Sequence, residues 1–219
     1  MMARPVAVEP VNVMMSTSMW PASAAPATSA PAPAASAPAE PAKHDWLIQL
    51  MEGVEDIPGS ALAEGITWGW ESFPEYLDVL ERMPRVLDVG AQIGHGPLRA
   101  YVMGDRASTD APATDADIAA MSMMVEEALR AGAFGFSTSR TPLHRAKDGE
   151  LVPGTHADER ELLGIGEAIR RAGHGVFQFA PEHARVPVSE WGWMRRLAAL
   201  TGQPVSVNVS QPDSSPEVW

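Results

Sequence analysis

The stretch that decides the fold is DERELLGIGEAIRRAGHGVFQFA, residues 158–180. Its first part predicts a helix that begins near Thr155 and Asp158 and ends at Gly173. Apolar residues recur along it at helical spacing: Leu162, Ile165 and Ile169. The last part, GVFQFA, is a short apolar run that predicts a buried strand. A helix, a glycine and a buried strand in direct succession are typical of a parallel α/β sheet.

The same unit recurs on both sides of this stretch. Upstream, a predicted helix over residues 114–132 leads directly into the apolar run AFGFST, residues 133–138. Downstream, the predicted helix SEWGWMRRLAALTG, residues 189–202, leads into the strand PVSVNV, residues 204–209. Because amphipathic helices alternate with buried strands, we expect right-handed crossovers between parallel neighbours.

A first strand is predicted in RVLDVGAQI, residues 85–93. Its apolar run is Val86, Leu87 and Val89. The predicted pattern is therefore βαβαβαβ, an α/β fold with about four parallel strands and three crossover helices. Four strands are enough for half of a (β/α)8 barrel or for most of a small open doubly wound sheet. Before them, one helix is predicted from His44 to near Pro58, and a second follows the S-x-x-E capping box of Ser72 and Glu75.

The N-terminal part of the chain has a different texture. Residues 21–43, PASAAPATSAPAPAASAPAEPAK, are a low-complexity run of Pro, Ala and Ser. Proline removes backbone donors, and small side chains bury too little area to offset the entropy of ordering. We therefore expect residues 1–43 to be a disordered tail and residues 44–219 to be the folded domain. A Pro-rich ligand for a partner domain is the alternative function of the tail.

Composition excludes several classes of function. The 219 residues carry a net charge of −12 and no cysteine. The acidic balance, without any run of Lys and Arg, argues against nucleic-acid and anionic-membrane partners. The lack of cysteine excludes disulfides, thiolate metal ligands and a cysteine nucleophile. It also fits a reducing compartment, so we expect a cytoplasmic protein. No stretch approaches the roughly 20 apolar residues of a membrane span.

Polar residues follow each predicted strand, at the edge where parallel sheets bind ligands. They are Gln92 and His95; Ser137, Thr138, Ser139 and Arg140; Gln178, Glu182 and His183; and Asn208, Gln211 and Asp213. His95, between two glycines, suits a metal ligand or a general base, with a hydrogen-bonding loop residue as the alternative. Arg140 is expected to contact an anion. His144 and Arg145 are expected either to hold a carboxylate or to lie in a solvated loop.

Other motifs of catalysis are missing from the sequence. It contains no H-x-H, H-E-x-x-H, G-x-S-x-G or P-loop pattern. The run GIGEAIRRAG lies inside a predicted helix rather than after a strand, so it does not indicate a dinucleotide site. An open-sheet cofactor binder is therefore the least favoured hypothesis. His183 beside Glu182 could serve as an acid–base pair.

Residues 44–105, which contain RAYVMG, and residues 131–155, which contain GFSTSR, together resemble the N-acyl-D-amino-acid deacylase branch of the amidohydrolase superfamily. The similarity runs from about His44 to Val209. It implies a (β/α)8 barrel with a small β-domain, and zinc-assisted hydrolysis of an amide. Substrate binding then falls to Ser137, Thr138, Arg140, His144 and Arg145, and His95 is the candidate metal ligand.

The chain also departs from the family pattern. The family's H-x-H pair, its cysteine segment, its later metal-binding histidines and its catalytic aspartate have no counterpart in this sequence. We therefore expect a partial barrel, the central part of such an enzyme, in which the zinc site is incomplete. The predicted function is metal-dependent hydrolysis of a small N-acyl substrate. The alternative is a catalytically inactive module that self-associates through open sheet edges.

Overall fold

The computed structural model describes residues 37–84, 86, 88–109, 111–181 and 188–208, without the side chains of residues 188 and 189. The helices are α1 (His44–Glu55), α2 (Gly59–Gly65), α3 (Phe73–Arg82), α4 (His95–Met103), α5 (Asp115–Ala131), α6 (Glu159–Ala172) and α7 (Val188–Thr201). The strands are β1 (Gln92–Gly94), β2 (Gly135–Ser139), β3 (Val176–Ala180) and β4 (Val205–Val207). None of the helices in this part of the chain is long and apolar enough to cross a bilayer.

The four strands form one parallel sheet in the order β1-β2-β3-β4. Each strand lies beside the next one along the chain, and α5, α6 and α7 make the three crossovers. An open doubly wound sheet reverses its strand order at a switch point, whereas a barrel adds each strand on the same side. The sheet is therefore that of a partial (β/α)8 barrel, as predicted.

The helix ends follow the predicted capping residues. Capping boxes pair Ser72 with Glu75 at the start of α3 and Thr114 with Asp117 at the start of α5. Gly132 closes α5 with a φ of +117°, which a residue with a side chain rarely adopts. Two helices, α2 and α4, were not expected from the sequence.

The first strand differs from its prediction. A buried strand over residues 85–93 was wrong in extent, because β1 covers only Gln92–Gly94. Val86 is fully exposed and Val89 is 41% exposed. Leu87 lies outside the described residues. Among the described residues, pairing with β2 begins where Gln92 meets Gly135, so Val86 and Val89 precede the paired part of the strand.

The last residues of the predicted tail make contacts with the folded part. Ala37 and Ala39 are buried, and the Ala39 amide donates to the Glu71 carbonyl at 2.8 Å. A 3-10 turn at Pro41–Lys43 follows and leads directly into α1. Residues 37–43 of the predicted tail are therefore packed against the folded domain. Residues 1–36 of the predicted tail lie outside the described residues.

The two faces of the sheet differ in burial. Phe136, Phe177 and Phe179 point to one face, where they are fully buried and pack against each other and against Trp193 of α7. The alternate residues of the strands, among them Ser137 and Gln178, are only half-buried. One face therefore carries the core, and the other is polar and accessible, as the inside of a barrel is at the carboxyl ends of its strands.

Candidate active site

The polar residues predicted at the strand ends form a row on the accessible face of the sheet, opposite the buried phenylalanines. We call this side the open face. The strand register places Gly94 beside Ser137, Ser137 beside Gln178, and Gln178 beside Ser206. Ser137 and Ser139 lie on this face, two residues apart along β2, and both are half-buried. A ligand above the sheet could therefore reach hydroxyl and amide groups from three neighbouring strands.

Thr138 belongs to the opposite face, where it joins a buried polar network. Its hydroxyl lies 2.8 Å from Nδ1 of His95, and Nε2 of His95 lies 2.8 Å from Oε1 of Glu161. The same oxygen accepts from Nε of Arg99 at 3.0 Å. Oε2 of Glu161 is buried without a hydrogen-bond donor among the described residues. The network joins β2, α4 and α6 in the core.

A loop seals this network from above. Gly154, in the connection between β2 and α6, has a φ of +94°. A Cβ atom at this position would lie 2.5 Å from Nδ1 of His95, so only glycine fits there. As a result His95 is 1% exposed, although the sequence predicted it in a loop between two glycines.

The partners of His95 define its protonation. A carboxylate only accepts, so Nε2 carries the proton that is donated to Glu161, and the bare Nδ1 accepts from Thr138. Burial outweighs the hydrogen bond to Glu161 and lowers the pKa of His95. Burial would raise the pKa of Glu161, but the hydrogen bond from His95 and the charge of Arg99 hold it below the usual value. The network therefore consists of a neutral histidine between a hydroxyl and a charged pair.

We expect the stability of the chain to fall as the pH drops below about 6.5, where an unfolded histidine takes up a proton that buried His95 refuses. A further loss follows as the pH falls below about 4.3 and through the lowered pKa of Glu161. Urea midpoints measured from pH 8 down to about pH 3 test both losses. The His95→Gln variant should show a shallower slope between pH 6.5 and 5, whereas exposed His156→Gln should keep the slope of the wild type. Equal slopes in all three proteins would contradict the role of His95.

The described residues do not fit a metal centre. No group of three or more His, Asp or Glu side chains converges within the described ranges. Both ring nitrogens of His95, the candidate metal ligand, are engaged with Thr138 and Glu161. His95 therefore acts in this arrangement as a buried hydrogen-bonding residue, although it lies in α4 rather than in the predicted loop.

Arg140, predicted to contact an anion, is held by the protein itself. Its Nε donates to Glu190 at 2.9 Å, and its Nη1 donates to the Ala157 carbonyl at 2.8 Å. The guanidinium also lies over the ring of Trp193, with 5.9 Å to the centroid. These contacts connect the end of β2 to α7. The Arg140 guanidinium is therefore used within the protein to hold these two elements together, and it is not directed at a ligand.

His144 and Arg145 lie in the loop that follows β2. Nδ1 of His144 lies 2.8 Å from the hydroxyl of Ser139, close to the open face. Arg145 is exposed, and its Nη1 donates to the Gly149 carbonyl at 2.7 Å. The structure thus brings His144 to the site and places Arg145 in a solvated hairpin-like loop, where it forms a bridge with Leu151.

The other predicted polar residues contribute little to this geometry. Asn208 is exposed just after β4, and its amide donates to the Phe179 carbonyl. Four lie outside the described residues: Glu182, His183, Gln211 and Asp213.

Sequence reasoning missed the partners of His95 in the buried network and of His144 at the open face. Glu161 was hidden inside the first turn of α6, and Arg99 inside α4, a helix that the pattern did not indicate. Glu161 was detectable in principle, because a charged residue directly beside the apolar stripe of a helix must be paired if it is buried. Ser139 was noted as a polar strand end but not as the partner of His144.

A cavity among the described residues lies away from the strand ends. It has a volume of about 170 Å³ and is lined by residues of α1 and of the loop after β2, including Trp46, Leu50, Asp148 and Glu150. None of the predicted site residues lines it. We place the candidate site at the strand ends because the polar row and the His144–Ser139 contact converge there.

Comparisons with known proteins agree with this fold. The sequence profile of the amidohydrolase family matches residues 11–219. The chain is 39% identical over 97 residues to a D-aminoacylase of Alcaligenes xylosoxydans xylosoxydans, covering 43% of this chain and 19% of that protein. It is 45% identical over 83 residues to an N-acyl-D-aspartate deacylase of the same organism, covering 37% of this chain and 16% of that protein.

Solved structures give the same result. A D-aminoacylase with a binuclear metal centre matches 68% of this chain and 29% of its own, with a TM-score of 0.52 and 28% identity. A D-aminoacylase mutant in complex with copper chloride matches 70% of this chain and 31% of its own, with a TM-score of 0.52 and 25% identity. The chain thus spans less than a third of the length of these relatives. With the profile matched over nearly its whole length, the chain belongs to the amidohydrolase family.

Proposed function

We propose that the protein takes part in the hydrolysis of the amide C–N bond of a small N-acyl-D-amino acid. The observation that carries this proposal is the polar open face at the carboxyl ends of the strands, in a chain of a hydrolase family. The relatives named D-aminoacylase and N-acyl-D-aspartate deacylase suggest the substrate class. A small-molecule substrate also suits a site built from single hydroxyl, amide and imidazole groups.

The residues of the chain divide between two roles in this proposal. Ser137 and His144 contact the substrate from the open face, because both are half-buried there. Thr138 and Arg140 hold β2 in place through His95 and Glu190, and Arg145 shapes the loop.

The metal question is separate. Zinc is the metal that the family resemblance implies, and one neighbour contains a binuclear metal centre. Because the described residues do not fit a metal site, we assign no catalytic step through zinc to them.

A cytoplasmic location remains a prediction from the sequence.

The proposal is tested by release of acetate from N-acetyl-D-amino acids and their L-enantiomers. The purified 219-residue chain is assayed with added zinc and with a chelator. We expect selective hydrolysis of the D-enantiomer, lowered in Ser137→Ala and unchanged in His156→Gln, an exposed residue outside the site. Acetate release no faster than in buffer, or equal for both enantiomers, would contradict the proposal.

The second candidate is an inactive module that self-associates. The observation in its favour is that, within the described ranges, β1 and β4 each have a strand neighbour on one side only. Unpaired edges of this kind are templates for pairing with another chain. Light scattering during size-exclusion chromatography tests this candidate, and a monomer at all concentrations would rule it out.

A further inference from the structure

We propose that Ser139 and His144 form a nucleophile–base pair that accepts the acyl group of small activated esters without a metal ion. Ser139 is the last residue of β2, and His144 follows five residues later in the loop. The Ser139 hydroxyl and Nδ1 of His144 are 2.8 Å apart. This distance lies within the reach that a nucleophile and its general base require.

The backbone holds the histidine in this position. The His144 amide donates to the Thr141 carbonyl at 3.3 Å, and the Val152 amide donates to the His144 carbonyl at 3.4 Å. Thr141 itself is fully buried, which anchors the start of the loop. The backbone of His144 is therefore held in a folded turn, next to the end of β2.

Accessibility separates this pair from a buried hydroxyl–histidine contact elsewhere among the described residues. Thr138, His95 and Glu161 repeat the order hydroxyl, imidazole, carboxylate with two distances of 2.8 Å. All three are at least nine-tenths buried, so no substrate reaches the Thr138 hydroxyl. Ser139 and His144 are half-buried on the other side of β2, at the open face. Of these two contacts, the one between Ser139 and His144 combines hydrogen-bond distance with access for a substrate.

The reaction takes two balanced steps. In the first, the Ser139 oxygen attacks the ester carbonyl, its proton passes to Nδ1 of His144, and the C–O bond to the leaving group breaks. The leaving group departs with the electron pair as an anion, and the proton on His144 passes to solvent water, which gives acyl-Ser139 and a neutral His144. In the second, water attacks the acyl-enzyme with His144 as base, and the acid and free Ser139 are formed. Activated esters suit the pair because their leaving groups depart as stable anions.

This activity is independent of the proposed amide hydrolysis. The family resemblance of the sequence implies a metal-dependent amide reaction, whereas the esters are cleaved by two side chains of this chain alone. A chelator therefore distinguishes the two, and either proposal can fail without the other.

The test uses p-nitrophenyl acetate with the 219-residue chain in the presence of EDTA. We expect release of p-nitrophenolate and, by peptide mass spectrometry after acid quenching, one acetyl group on Ser139. Ser139→Ala should lose the label, and His144→Gln should slow acetylation by about a hundredfold, the contribution typical of a general base. Ser139→Cys restores a nucleophile and should be labelled again at this position.

Two control variants separate site chemistry from surface reactivity. Ser60→Ala and His156→Gln change an exposed hydroxyl and an exposed imidazole, and both should react like the wild type. Absence of acetyl from Ser139 in the wild type, or wild-type labelling in His144→Gln, would overturn the proposal. Loss of labelling on chelation would overturn its metal independence.

Discussion

Replacing Glu161 with alanine is expected to lower the free energy of unfolding by about 3–5 kcal/mol. Glu161 is fully buried and accepts from both His95 and Arg99 through one oxygen. Its removal leaves the guanidinium of Arg99, a residue that is 4% exposed, without the carboxylate that compensates its charge. It also leaves the Nε2 proton of His95 without an acceptor. Urea unfolding followed by tryptophan fluorescence measures the change.

Glu159 provides a matched control on the same helix. It also pairs with an arginine, Arg196, but both side chains are largely exposed, with 42% and 57% accessibility. Surface pairs contribute little because water and salt screen them. Glu159→Ala should therefore leave the urea midpoint nearly unchanged. If both variants shift the urea midpoint equally, the buried network does not stabilise the fold more than a surface ion pair does.

The second large effect is expected from Phe136→Ala, which should cost about 3–5 kcal/mol of unfolding free energy. Phe136 is fully buried on the helix-covered face of β2. Its ring lies 5.2 Å from the ring of His95 and 5.0 Å from that of Phe177, measured between centroids. Truncation therefore leaves a cavity between the sheet and α4, beside the polar network. The same urea titration measures it.

Phe134 is the control for this substitution, because it precedes Phe136 by two residues and is 63% exposed. The backbone amide of Phe134 donates a hydrogen bond to the Ala91 carbonyl, and this bond is kept when the side chain is changed to alanine. Phe134→Ala should unfold close to the wild type. If Phe134→Ala lowered the free energy of unfolding as much as Phe136→Ala, burial of the Phe136 ring would not explain the loss.

The repeating pattern of helix, glycine and strand was readable because it is local. The spacing of Leu162, Ile165 and Ile169 defines one helix face, and the glycines at 132 and 173 end helices with positive φ. Such features depend on a few neighbouring residues. The prediction of the first strand was wrong in extent because the local pattern does not show where strands pair. Val86 and Val89 have the apolar spacing of a strand, but they precede the paired residues of β1 and are exposed.

The candidate site also combines features that the sequence predicts with contacts that depend on the tertiary structure. The sequence by itself determined the parallel α/β order, the helix caps and the gathering of polar residues at the strand ends, because chain order and side-chain alternation dictate them. The tertiary structure alone decided which of those residues meet. It buried His95 against Glu161, bound Arg140 to Glu190, and placed Ser139 beside His144. Two of these three contacts join residues 50 or more positions apart, and only the packing of helices against the sheet brings such residues together.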